Sequence, residues 1–161
     1  MKFKLDFEIE KRPILSKFGA ISLLGSCFAQ NQALNFSRSG FETMSNPFGV
    51  FYNPVSIAQL LSRMDGNKLY SSEDFISNGE QYFSLEHHGS CKFNQLDDAI
   101  NSSNQILQDF ESHLKKSRIL VLSFGTSLVY KHKAKNKIVA NCHRLASKEF
   151  NHQQLSLEDC L

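Results

Sequence analysis

Gly25-Ser26-Cys27, followed by Phe28 and Ala29, sets a hydroxyl and a thiol side by side behind a glycine. Each becomes a nucleophile once a base or a positive environment draws off its proton. The preceding run, Ala20-Ile21-Ser22-Leu23-Leu24, is apolar almost throughout and has the length of a core strand in an α/β protein. Ala29, Ala33 and Phe36 then recur at helical spacing before Gly40, which predicts a helix with a glycine stop. Such a junction brings both groups to the carboxyl end of a strand and the positive end of a helix. Backbone N–H groups there favour an oxyanion or a thiolate. The same residues also fit a purely structural role, with Ser26 capping the helix and Cys27 filling the core.

The elements that must position this junction follow in order. Lys2 to Glu10 alternates Phe3, Leu5, Phe7 and Ile9 with charged residues, the pattern of a half-buried or edge strand flanking the sheet. Phe41 to Met44 reads as a short strand leading into Asn46-Pro47-Phe48-Gly49, a loop fixed by proline and glycine. Asn53-Pro54 opens a helix whose stripe is Ile57, Leu60, Leu61 and Met64, stopped at Gly66. Residues 67 to 93 scatter aromatics among polar residues, as an insertion or lid over the domain would. His87 and His88, if on a strand, point to opposite faces, so a joint metal site is not expected; surface or hydrogen-bonded histidines are. Asp97 to Lys116 is the longest helix, with Asn94 as its expected cap. Arg118 to Phe124 reads as a second fully buried strand ending in Gly125-Thr126-Ser127, and two such strands with helices between them indicate a parallel sheet covered on both faces. Leu128–Tyr130 and Lys137–Ala140 form an expected hairpin around a lysine-rich turn.

Composition narrows the function. A formal net charge of +2 is too weak to indicate nucleic acid or an anionic membrane as a partner. No stretch approaches the roughly 20 apolar residues of a spanning helix, and the N-terminus has no signal-peptide core. Cys27, Cys91, Cys142 and Cys160 show neither a CxxC pair nor zinc-finger spacing, so reduced thiols in a cytoplasmic protein are expected, with no metal and no cofactor.

Asn46-Pro47-Phe48-Gly49, Tyr52-Asn53-Pro54, Phe124-Gly125-Thr126 and Asn141-Cys142-His143 follow Gly25–Ala29 in an order that resembles the bacterial GSCFA domain family, grouped with the SGNH (GDSL-type) hydrolases. The likeness divides the chain into a flanking extension, 1–17, and a GSCFA domain, 18–161. It implies a three-layer, flavodoxin-like parallel sheet with flanking helices. It also implies an ester or acyl hydrolase or acyltransferase acting on a small-molecule acyl or carbohydrate ester; the alternative expectation is a non-catalytic ligand-binding module or an inactive truncated fragment.

Setting Gly25 on the glycine of the SGNH Gly-Asp-Ser block puts Cys27 at the nucleophile; sliding by one residue restores Ser26. Register favours Cys27. Gly49 resembles the glycine whose N–H serves the oxyanion hole, with Asn46 beside it. Gly125-Thr126 resembles the third block, but Ser127 stands where that block carries asparagine, and Asn141 is the candidate replacement. His143 is expected to line the site. The Ser-Pro-Val-Arg-His segment of the family's second half has no counterpart here, so the resemblance implies an N-terminal half lacking its catalytic histidine, with a complementary C-terminal half as partner.

Overall fold

A computed structural model describes residues 19–160. The alternating segment at Lys2–Glu10 and the flanking extension 1–17 lie outside the described residues. The first strand, β1 (Ala20–Gly25), is buried along its whole length, as its apolar run requires. Helix α1 (Cys27–Arg38) packs Ala29 and Ala33 against Ile21 and Leu23 on one face of β1. Strand β2 (Glu42–Ser45) pairs parallel to β1, and helix α2 (Pro54–Asp65) follows with Asn53 as its cap, its side chain accepting the Ser56 N–H at 2.8 Å.

A short hairpin, β3 (Ile76–Ser77) and β4 (Tyr82–Phe83), precedes the long helix α3 (Leu96–Lys116). The cap of α3 is Gln95, which makes no side-chain capping bond; Asn94 does not take that position. The helix holds by its buried face, Leu107 and Phe110 foremost, so tertiary packing replaces the missing cap. With α2 and Leu24 of β1 it builds the main core, into which Tyr70 and Phe75 of the intervening segment also pack. That segment is anchored by Arg63 of α2. Its guanidinium meets both carboxylate oxygens of Glu86 at 3.0 and 3.1 Å and Asp74 at 2.8 Å, and stacks 4.0 Å over the Tyr70 ring. A buried arginine is tolerable because every side of the fork is met, two backbone carbonyls included.

Strand β5 (Ser117–Ser123) pairs parallel to the other side of β1, so the parallel sheet runs β2-β1-β5 with helices on both faces. The fully buried strand expected here is corrected to a strand that alternates between half-buried and exposed residues. Among the described residues β5 pairs only with β1, which leaves Leu120, Leu122 and Phe124 exposed on the face where Leu24 meets α2 and α3. The hairpin β6 (Leu128–His132) and β7 (Lys137–Val139) forms as expected, but a third strand, β8 (Phe150–Gln154), joins it on the other side of β6. The final helix, α4 (Leu157–Cys160), starts at the Ser156/Asp159 capping box.

Candidate functional site

Three loops meet at the carboxyl ends of β1, β2 and β5. Gly25 ends β1 at φ +141°, and a Cβ there would lie 2.0 Å from the Ser123 carbonyl oxygen. Only glycine lets β1 and β5 close together at this point. The Gly25 N–H donates to Asn46 Oδ1 at 2.8 Å, and its carbonyl accepts the Phe51 N–H at 2.8 Å. Asn46, left-handed at φ +46°, donates its own N–H to the Leu23 carbonyl. The loop after β2 is thereby laced to the end of β1. It is laced to β5 as well: the Tyr52 carbonyl accepts from Gly125 N–H at 2.8 Å and Thr126 N–H at 3.0 Å. A Cβ on Gly125 would meet the Tyr52 ring at 3.1 Å and the Ser26 Cβ at 3.5 Å.

Within this frame the two candidate nucleophiles differ. The half-buried Ser26 caps α1, its Oγ accepting the Phe28 N–H at 3.3 Å and pairing with Ser123 Oγ at 3.2 Å. Its N–H is shared between the carbonyl and the hydroxyl of Ser123, at 3.2 and 3.1 Å. Cys27, the first residue of α1, is exposed. Phe28, Tyr52 and Phe124, also exposed, belong to the three segments that converge here.

The remaining expected site residues occupy other contacts. The Gly49 N–H, expected to serve an oxyanion, donates to the Asn46 carbonyl at 2.9 Å within the turn. Gly49 itself is needed for φ +80° and for His88, whose Cβ lies 2.4 Å from where a Gly49 Cβ would stand. Asn141 Oδ1 accepts the His143 N–H at 2.8 Å and lies 3.3 Å from where a Gly89 Cβ would be. His143 is buried, stacked on Phe83, with Nε2 on the His87 carbonyl at 3.0 Å; burial holds its imidazole below the usual range. Thr126 Oγ1 accepts the Leu128 N–H. The structure thus gathers Gly25, Ser26, Cys27, Asn46, Gly125 and Thr126 in one place, and groups Asn141 and His143 with the 87–89 loop.

His87 corrects the surface or hydrogen-bonded histidine expected there. It is fully buried, stacked at 4.0 Å on Phe48, with neither ring nitrogen hydrogen-bonded, and burial pushes its pKa down to about 3. Among the described residues no cluster of His, Cys, Asp or Glu is arranged to hold a metal ion. Ser123 and the Tyr52 carbonyl are the site groups that sequence reasoning missed. Ser123 stands directly before the Phe124-Gly125-Thr126 motif, and its strand-end position was the available signal.

The model of the GSCFA family matches residues 20–161. The chain belongs to the GSCFA family. No curated protein and no solved structure matches it. The GSCFA motif itself is therefore the strand-to-helix junction just described, and the motifs around Asn46, Tyr52 and Gly125 are the loops laced to it. No helix among the described residues is long and apolar enough to cross a membrane.

Proposed function

We propose that this GSCFA protein is an SGNH-type acyl hydrolase or acyltransferase in which Cys27 is the nucleophile and Ser26 the helix cap. The observation that carries this reading is the contrast between the two side chains: Cys27 is exposed at the first turn of α1, while the Ser26 hydroxyl is tied to Phe28 N–H and Ser123. The positive end of α1 suits the negative charge that develops on sulfur and on the acyl oxygen, although the Phe28 and Ala29 N–H groups already donate to the hydroxyl and carbonyl of Ser26. In the proposed reaction the sulfur bonds to the acyl carbon of a small-molecule acyl or carbohydrate ester. The C–O bond to the alcohol breaks, and the thiol proton leaves on the alcohol oxygen. Water, or an acceptor hydroxyl, then takes the acyl group and returns the proton to sulfur.

The flavodoxin-like completion of the sheet belongs to the same proposal. Strands and helices from a complementary C-terminal half, in the same chain or a separate one, would cover Leu120, Leu122 and Phe124 and bring the distal histidine. The rival reading, a binding module without catalysis, draws on the Gly49 N–H, which is occupied within its own turn. Hydrolysis of p-nitrophenyl butyrate by the protein with its complementary half decides between them. Cys27→Ala should abolish turnover, and Ser26→Ala should leave most of it. Turnover that survives Cys27→Ala but not Ser26→Ala would move the nucleophile to Ser26. No turnover or covalent labelling at either residue would favour the binding module.

A further inference from the structure

Of His87, His88 and His143, only His88 is not buried, and all of its groups but one are fixed. Its backbone N–H donates to the Phe48 carbonyl at 2.9 Å. Its ring lies against Gly49, with Nδ1 3.3 Å from where a Cβ of that residue would be. Nδ1 accepts the Ser90 backbone N–H at 3.3 Å and stands 2.9 Å from the Ser90 hydroxyl. A ring nitrogen that accepts an amide proton carries none itself, so neutral His88 holds its proton on Nε2. The ring is therefore a pre-oriented N–H donor mounted on the Asn46–Gly49 turn. Through Asn46 Oδ1 that same turn is bound to Gly25 N–H, two residues before Cys27. The Gly49 backbone N–H, meanwhile, already donates to the Asn46 carbonyl.

We propose that His88 Nε2–H is the side-chain donor to the oxyanion formed when Cys27 attacks an acyl carbonyl, in the place the Gly49 N–H would otherwise fill. This rests on Cys27 as nucleophile. The carbon–sulfur bond forms, the carbonyl π pair moves onto oxygen, and His88 donates a hydrogen bond to that oxygen without giving up its proton. A donor whose ring is already held by Ser90 and Gly49 needs little reorganisation during the reaction. Ser90 is then a positioning residue, since it sets which nitrogen carries the proton.

Nitrogen-detected NMR of the histidine rings, with and without butanal, tests this. Butanal adds to the Cys27 thiol as a hemithioacetal, the thiol proton passing to the former carbonyl oxygen, and so places an oxygen where the oxyanion would sit. His88 should show the Nε2–H tautomer in the free protein, and its Nε2–H resonance should shift on capture of Cys27. In turnover, His88→Ala should lose on the order of 100-fold, as for other oxyanion donors. His88→Gln, which keeps an N–H donor, should stay within about tenfold of the native rate. An Nδ1–H tautomer, or capture at Cys27 with an unmoved His88 signal, overturns the proposal while leaving Cys27 as nucleophile. Equal inactivity of the alanine and glutamine variants would make His88 a base instead, and equal activity a bystander; either sinks the donor role. If butanal does not react at Cys27, the nucleophile assignment fails, and the donor role falls with it.

Discussion

The triplet Gly-Ser-Cys occurs twice, at 25–27 and at 89–91, and the two copies behave differently. In the first, glycine ends a buried strand, serine caps a 12-residue helix and the cysteine is exposed. In the second, the triplet makes a turn against the Phe48 carbonyl. Cys91 Sγ donates to that carbonyl at 3.3 Å, and burial pushes the Cys91 thiol above its usual range. Ser90 serves the His88 ring rather than a helix end. Three identical residues thus supply a candidate nucleophile in one place and a support in the other. What separates them is the element that follows: a helix N-terminus concentrates unsatisfied N–H groups, and a turn does not.

The sharpest break in this comparison comes from the glycines. Gly25→Ala should destabilise the protein by about 3 kcal/mol or more in urea unfolding, because φ +141° and a Cβ 2.0 Å from the Ser123 carbonyl leave it no place to go. Gly89→Ala, facing only the Asn141 side chain at 3.3 Å, should cost under about 1 kcal/mol. Similar losses at both would mean that the two backbones are equally constrained.

Acid should act on the second region. His87 beside that turn has its pKa lowered to about 3 by burial, and burial also lowers those of His143 and His113. The unfolded chain therefore binds protons that the folded one refuses, so stability should be level above about pH 7 and fall as pH drops below 6.5. Substituting His87→Phe should reduce that slope, with His143 and His113 keeping the rest. A slope unchanged by His87→Phe would place the acid response elsewhere.

Alkylation compares the thiols directly. Iodoacetamide should modify Cys27 at least about tenfold faster than Cys91 at neutral pH, since Cys91 is half-buried and its thiol is held protonated. Mass mapping of the modified peptides reads the ratio, and parity would remove the exposure argument for Cys27. The smallest effect belongs to the serines. Ser26→Ala should cost about 1 kcal/mol as a lost helix cap. Ser90→Ala, removing an exposed hydroxyl from His88, should stay within about 0.5 kcal/mol. A Ser26→Ala variant of native stability would show that Ser123 alone can hold the junction.

Where periodicity was strong, the chain was readable. Ala20–Leu24 announced a buried strand and Asn53-Pro54 a capped helix, and each formed as its residues require. Arg118–Phe124 was misread, because an apolar run looks the same whether its neighbours cover one face or both; here one face is left open. Strand β8, Phe150–Gln154, is too polar to announce itself and forms only because β6 offers a partner. His87 was misjudged for a related reason. Nothing adjacent in sequence reveals that Phe48, Tyr70 and Phe75 will enclose it.

The sequence by itself determined the family and the strand–glycine–serine–cysteine–helix junction, because those rest on residue identity and on spacings shorter than one element. It left both Ser26 and Cys27 open as nucleophiles, with register favouring Cys27. Only the tertiary structure distinguished them, by bringing Ser123 from nearly a hundred residues away to bind the Ser26 hydroxyl and leave the thiol in solvent. It likewise made Gly49 a seat for His88, a contact between segments that no local pattern encodes. Hydrogen bonds and van der Waals contacts act at a few ångströms whatever the sequence separation, so the partners of a site residue are fixed by chain topology and not by its neighbours in the chain.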